Sequence, residues 1–287
     1  MHSLIGKIRA FFRLIKFEHT IFALPFAYMG AVLAQKGVPS AEKWLWITLA
    51  MAGARTAAMA LNRIFDLKYD AENPRTRNRP LVTGEISKKA TWVAALFSLG
   101  VLFYSAFQLN LLCLILSPLA VGLLFFYSFT KRFTSLSHLF LGLVQACAPI
   151  GGWLAITERF EGGAFLLGAA VVFWLAGFDI IYATLDVEFD KTHGLHSIPS
   201  ALGMGRALWL SSFFHILTFA FFVALGLLLE CKTWYWLGCG FTGALLIYEH
   251  DLVKPRDLSR VNEAFFTVNG WISVCLFLFT LLETVKF

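Results

Sequence analysis

The chain has 287 residues, of which 58% are hydrophobic and only 15% charged, with a formal net charge of +6. A mean hydropathy of +0.70 excludes an ordinary water-soluble domain and indicates an all-α, polytopic membrane protein. The positive balance calls for no nucleic acid partner, because basic loops beside anionic lipid and a phosphorylated substrate account for it.

Nine apolar segments are long enough to span a bilayer, at roughly 17–37, 44–66, 90–108, 110–130, 136–157, 164–185, 207–229, 233–250 and 264–283. The first follows Lys7, Arg9, Arg13 and Lys16, as a signal peptide would. It carries Pro25 and Tyr28 and lacks a small-residue cleavage site, so a retained helix is expected. The third and fourth segments share a very short turn near Asn110, and the fourth closes on Lys131 and Arg132. With the N-terminus inside, 17 of the 24 Lys and Arg residues fall on inner segments and five on outer ones. Such an excess marks the cytoplasmic side. Five cysteines are scattered through apolar segments without metal-type spacing. No Gly/Ser/Pro-rich linker divides residues 1–287, so a single membrane-embedded domain is expected.

The second and sixth segments end alike. One reads N-R-I-F-D-L-K-Y-D, with Asn62, Asp66 and Asp70; the other reads Y-A-T-L-D-V-E-F-D, with Tyr182, Asp186 and Asp190. Residues at this spacing turn a helix through roughly 400°, which puts each triplet on one face. Carboxylates stacked in that way repel unless a cation lies between them. Oxygen-only ligands suit Mg²⁺, which takes one or two carboxylates plus phosphate oxygens. A hydrated acidic loop is the plain alternative for the second set. After the first triplet comes N-P-R-T-R-N-R-P, whose Arg75, Arg77 and Arg79 suit phosphate. The positive-inside bias alone would also place arginines here. Lys191 follows Asp190 directly, and both triplets lead into the longest and most polar inner loops, roughly 67–89 and 186–206.

Two charges lie inside the bilayer, each seven residues before its triplet: Arg55 before Asn62 and Asp179 before Asp186. Two turns bring each onto the face of its triplet, roughly 10 Å deeper. Charges at that depth face an interior and find partners. Arg55 and Asp179 are therefore expected to approach each other at the floor of a cavity, with Arg55 also available to an acidic substrate. Lys131 and Arg132 are either a snorkelling pair or a diphosphate contact. His193 and His196, without further His or Cys nearby, are a weak signal for zinc. A secondary transporter also carries paired carboxylates, but commonly near the bilayer midplane.

These motifs resemble the UbiA-type membrane prenyltransferases, in particular the branch labelled 4-hydroxybenzoate polyprenyltransferase. The likeness rests on N-R-I-F-D-L-K-Y-D with N-P-R-T-R-N-R-P-L-V-T-G, and on D-I-I-Y-A-T-L-D-V-E-F-D with G-L-H-S-I-P. It implies nine helices around a central cavity open to the cytoplasm, in a bacterial-type inner membrane. It further implies Mg²⁺-dependent transfer of a chain from polyprenyl diphosphate to an aromatic acid, for respiratory quinone synthesis. By the resemblance, Asp66, Asp70, Asp186 and Asp190 hold metal; Arg75, Lys131 and Lys191 contact diphosphate; Asn62 and Tyr182 join them. Arg55 matches the pattern of members that use aromatic acids, and Asp179 is a candidate base. One departure is His196 in G-L-H-S, where 4-hydroxybenzoate enzymes show lysine. The wording G-F-D-I-I-Y and G-L-H-S-I-P also resembles proteins linked to menaquinone made by the futalosine route, with 1,4-dihydroxy-6-naphthoate as acceptor.

Overall fold

The computed structural model describes residues 4–16, 18 and 20–284. Thirteen α-helices follow one another: α1 (Leu4–Leu14), α2 (Thr20–Gln35), α3 (Ala41–Phe65), α4 (Leu67–Glu72), α5 (Lys88–Leu109), α6 (Leu111–Thr130), α7 (Ser137–Thr157), α8 (Gly162–Ala183), α9 (Val187–Thr192), α10 (Ile198–Leu202), α11 (Met204–Leu228), α12 (Thr233–Leu252) and α13 (Asn269–Thr284). Each expected apolar segment coincides with one of the longer helices. By length and composition, seven described spans can cross a membrane; α2 and α12 fall outside that set. Among the described residues the nearest thing to a strand is one isolated bridge, Lys254 to Asp257.

Helices pack closely where side chains are smallest, as membrane helices do in the absence of a hydrophobic drive between them. A Cβ at Gly152 on α7 would sit 2.0 Å from the Ala27 carbonyl oxygen of α2, and one at Gly30 would sit 2.1 Å from that of Pro149. Behind this seam Phe22, Phe26, Trp174 and Phe178 form an aromatic core, with Phe26 and Trp174 centroids 4.9 Å apart. Outward faces stay apolar, with Phe97, Leu111 and Ile115 exposed as a lipid-facing surface requires.

The turn between α5 and α6 is the single residue Asn110. Its side chain caps α6 by accepting from the Cys113 N–H at 2.8 Å and donates to the Leu154 carbonyl of α7, also at 2.8 Å. Three helices are thereby tied at the end of the bundle away from the aspartates.

At the inner end, neither acidic triplet lies on an unbroken helix. Asp66 separates α3 from α4 at φ −94°, ψ 6°; Asp186 ends a 3₁₀ turn, Thr184–Asp186, at φ −108°, ψ 5°. The expected common face survives because the turn-to-turn bonds continue: the Asp66 N–H donates to Asn62 at 2.9 Å and the Asp70 N–H to Asp66 at 2.8 Å. The break falls at the same register in α3–α4 and in α8–α9. The amphipathic α1 has no counterpart among the expected elements; it buries Ala10 and Leu14 and pairs Arg13 with Glu85.

The Gly152 contact is open to test. Gly152→Ala must separate α2 from α7, at a cost of about 1–3 kcal/mol. A midpoint of thermal unfolding several degrees lower in detergent is expected, and an unchanged midpoint would show the seam to be loose.

Candidate active site

A cavity of about 600 Å³ runs inside the bundle. Its polar end is lined by both aspartate faces, and its apolar end by Ile47, Leu102, Leu109, Cys113, Leu116 and Leu154 from the opposite, outer end. Every site residue expected from the sequence lines it except Arg77 and Lys191.

The two faces are physically joined. The Asn73 carboxamide oxygen accepts from the Arg75 N–H at 2.8 Å, a turn that aims the Arg75 side chain back across the opening. There Arg75 Nε donates to Asp186 Oδ1 at 2.9 Å, and Nη2 binds Oδ2, a bidentate clasp. Asn73 Nδ2 adds a bond to Asp186 Oδ1 at 3.2 Å. Tyr182, stacked on Phe265 at 4.1 Å, accepts from Arg75 Nη1 at 3.2 Å and lies under its guanidinium at 5.1 Å.

Around the first face, Arg79 Nη1 donates to Asp70 Oδ2 at 2.6 Å and also reaches Oδ1, with Arg63 3.9 Å away. Asn62 donates to Asp66 Oδ2 at 2.7 Å; Arg132 lies 3.5 Å from Oδ1 and donates to the Phe65 carbonyl at 2.9 Å. Burial, and after it the adjacent Asp70 carboxylate, push the Asp66 carboxyl above its usual range, against the charges of Arg63 and Arg132. Lys16 lines the same end, its ammonium pulled below the usual range by burial first, then by Arg63, Arg79 and Arg75, set against Glu18. On the second face Asp190 is 2% exposed, and its Oδ2 is a buried acceptor without a partner.

This donor set fits Mg²⁺. Among the described residues no three carboxylate, imidazole or thiol groups sit close enough to hold an ion by themselves. Mg²⁺ does not need such a cage, since it binds through one or two carboxylates and completes its shell with phosphate oxygens and water. Asp66 and Asp190 offer the least engaged oxygens, while Asp70 and Asp186 are held by arginines.

Two expectations change. No ion pair joins Arg55 to Asp179 among the described residues. Asp179 Oδ2 is taken by His138 Nδ1 at 2.6 Å, and Arg55 Nε remains a buried donor without a partner beside the cavity. Lys191 is exposed, not on the wall. One residue further along a helix is a rotation of about 100°, so the turn that points Asp190 inward points Lys191 away. Lys131 does line the cavity, and its carbonyl accepts from the His196 N–H at 2.7 Å. His193 stacks on Phe189 at 3.9 Å and lies 3.4 Å from Glu72, and among the described residues no zinc-type cluster surrounds it.

The UbiA prenyltransferase family profile matches residues 23–273. The chain belongs to the UbiA prenyltransferase family. A 4-hydroxybenzoate octaprenyltransferase of Vibrio atlanticus (strain LGP32) is 30% identical over 270 residues, covering 93% of this chain and 94% of its own. A protein of the same name from Francisella tularensis subsp. novicida (strain U112) is 28% identical over 283 residues, covering 97% and 99%. Among solved structures, an apo UbiA homolog from Aeropyrum pernix K1 superposes with a TM-score of 0.85 at 35% identity, over 93% of this chain and 98% of that one. A UbiA homolog from Archaeoglobus fulgidus, bound to GPP and Mg²⁺, gives 0.75 over 96% and 99%, and at 20% identity speaks to the fold alone. As a UbiA prenyltransferase the protein is a multi-pass membrane enzyme, and the transporter alternative falls away.

Several residues on or behind the wall of this UbiA site carry little signal in the sequence. Arg63 looks like an ordinary inner-side basic residue. His138 and Gln145 lie seven apart on α7, the interval already informative for Arg55 and Asp179, but their lack of formal charge hid it. Gln145 Nε2 is another buried donor without a partner beside the cavity.

The joint between the faces is testable. Asn73→Ala strips a buried bond from Asp186 and one from the Arg75 N–H. The expected loss is about 1–3 kcal/mol, read as a lower unfolding midpoint in detergent. Stability equal to wild type would mean that Asn73 merely fills space.

Proposed function

We propose that the protein transfers a polyprenyl chain from polyprenyl diphosphate to a ring carbon of an aromatic acid, 4-hydroxybenzoate, in Mg²⁺-dependent respiratory quinone synthesis at the cytoplasmic side of a bacterial-type inner membrane. One observation carries the reading: a single cavity joins a cation-rich acidic end to a long apolar end, with Arg55, whose buried Nε has no partner, between them. The curated relatives' name, 4-hydroxybenzoate octaprenyltransferase, supports the choice of acceptor and of a long chain. The GPP and Mg²⁺ bound to the Archaeoglobus fulgidus homolog support the choice of donor and metal.

The chain's own residues divide the work by position. Arg75, Arg79, Lys131 and Arg132 bind the diphosphate as charge-assisted donors. Asp66 and Asp190 would hold Mg²⁺, with Asp70 and Asp186 joining as their arginines turn to the phosphates. The metal, when bound, supplies neutralisation of the leaving diphosphate. Arg55 holds the acceptor carboxylate, with Gln145 as a further donor. The apolar walls take the prenyl tail and keep water from the allylic cation. The allylic C–O bond breaks, a C–C bond forms to the ring, and the proton lost by that ring carbon passes to Asp179.

Mass spectrometry of products from purified protein, Mg²⁺ and a prenyl diphosphate decides the acceptor. Prenylated 4-hydroxybenzoate is expected; product only with 1,4-dihydroxy-6-naphthoate would redirect the pathway, and none with any aromatic acid would overturn the reading. Asp66→Ala should lower turnover at least about 100-fold while remaining folded. Arg55→Ala should raise the acceptor KM at least about tenfold and leave the prenyl diphosphate KM unchanged. Equal effects on both substrates would remove Arg55 from the acceptor site.

A further inference from the structure

His138 stands in the first turn of α7, fully buried, and is not part of the cavity wall. Both ring nitrogens are engaged. Nδ1 lies 2.6 Å from Asp179 Oδ2, and the Ile198 backbone N–H donates to Nε2 at 3.3 Å. A backbone amide can only donate, so Nε2 must offer its lone pair. The proton of the neutral ring then resides on Nδ1 and is donated to Asp179. A single tautomer satisfies both partners, and it leaves Asp179 as the acceptor.

Asp179 itself reaches the cavity, with its side chain 18% exposed. One carboxylate oxygen is tied back to His138, and the other is left for the cavity. On the far side of the imidazole, Ile198 opens α10, whose first turn is fixed by a reciprocal Ser197–Ser200 capping box. The segment before it is pinned by the Leu195 N–H to the Asp190 carbonyl at 2.8 Å and by the His196 N–H to the Lys131 carbonyl at 2.7 Å. The loop that follows the second aspartate face is thus bonded, through one rigid ring, to a carboxylate two helical turns deeper.

We propose that His138 is a positioning residue for the prenyl transfer: held by the Ile198 amide, it fixes the rotamer and the acceptor state of Asp179 so that the free oxygen meets the ring carbon being alkylated. The inference rests on the reaction proposed above. In that reaction the electron pair of the ring C–H bond returns to the aromatic system, the proton goes to Asp179, and diphosphate departs with the allylic C–O electrons. His138 neither gains nor loses a proton overall. A buried histidine that only filled space would need neither bond in a particular sense, and this gives the means to separate the two roles.

The side-chain amide of asparagine reaches the position of Nδ1, and that of glutamine reaches the position of Nε2. His138→Asn therefore keeps a donor to Asp179, whereas His138→Gln keeps only the Ile198 contact. The expected result is a kcat within about threefold of wild type for H138N and a fall of about 10–100-fold for H138Q, since misplacing a reacting group costs up to about 100-fold. KM for both substrates should stay within about twofold in each variant, which also reports an intact fold. In an Asp179→Asn background, single-turnover product formation should show no further loss from H138Q. Equal kcat losses in H138N and H138Q, or a loss that persists in the Asp179→Asn background, would overturn the positioning role. So would an H138Q change confined to KM, or an H138Q enzyme as fast as wild type. A wild-type protein that transfers no prenyl group would instead overturn the underlying reaction, and this inference with it.

Discussion

The Arg75 guanidinium crosses from the loop after α4 to the Asp186 carboxylate after α8, and the rest of the site depends on that crossing. Without it the two acidic faces would be separate solvated helix ends at the inner rim of the bundle. A buried carboxylate left without its partner carries a desolvation penalty of several kcal/mol, so the pair is far costlier to break than an exposed one. Asn73 holds the Arg75 backbone and the Asp186 carboxylate, Tyr182 holds the guanidinium, and Phe265 holds Tyr182 in turn. Positioning at the opening thus descends from the aromatic core. The arginines that hold Asp70 and Asp186 are the groups best suited to diphosphate, because a guanidinium serves carboxylate and phosphate with the same fork.

A bilayer imposes a second constraint on a reaction with one very polar and one very apolar reactant end. The cavity answers it by position along α3. Asp66 stands at the inner break, Arg55 lies three turns deeper, and Ile47 and Met51 form the apolar wall beyond. Asp179, Arg55 and Gln145 are polar side chains set among the apolar walls of this cavity. Asp179 is bonded to His138, while Arg55 and Gln145 each retain a buried nitrogen without a partner. Donors of that kind are costly unless they meet an acceptor, and a substrate carboxylate is the acceptor that the proposed reaction brings.

Much of this was legible in the residues alone. Apolar length located the longer described helices to within a few residues, and the repeated N-x3-D-x3-D and Y-x3-D-x3-D spacing located both faces. The seven-residue intervals placed Arg55 and Asp179 on the wall. What failed was pairing across helices: Arg55 with Asp179 was the simplest match of opposite charges, but His138, uncharged in its neutral tautomer, had the better geometry. The helix breaks at Asp66 and Asp186 were also invisible, because F-D-L and L-D-V contain neither glycine nor proline to mark them. Lys191 lies off the cavity wall because adjacency in sequence is not adjacency on a helix face. The amphipathic α1 was passed over as a basic flank, since its eleven residues are too short to count as a span.

The central claim is that both aspartate faces serve one diphosphate through shared metal. A structure of the protein with a non-reactive prenyl thiodiphosphate and Mn²⁺, located by anomalous scattering, tests it most directly. The account predicts metal peaks between the Asp66 and Asp190 sides, bridged by the diphosphate, with the prenyl chain running past Arg55 toward Leu109 and Leu116. Metal bound to one face alone, or a diphosphate lying outside the opening between Arg75 and Lys131, would contradict it.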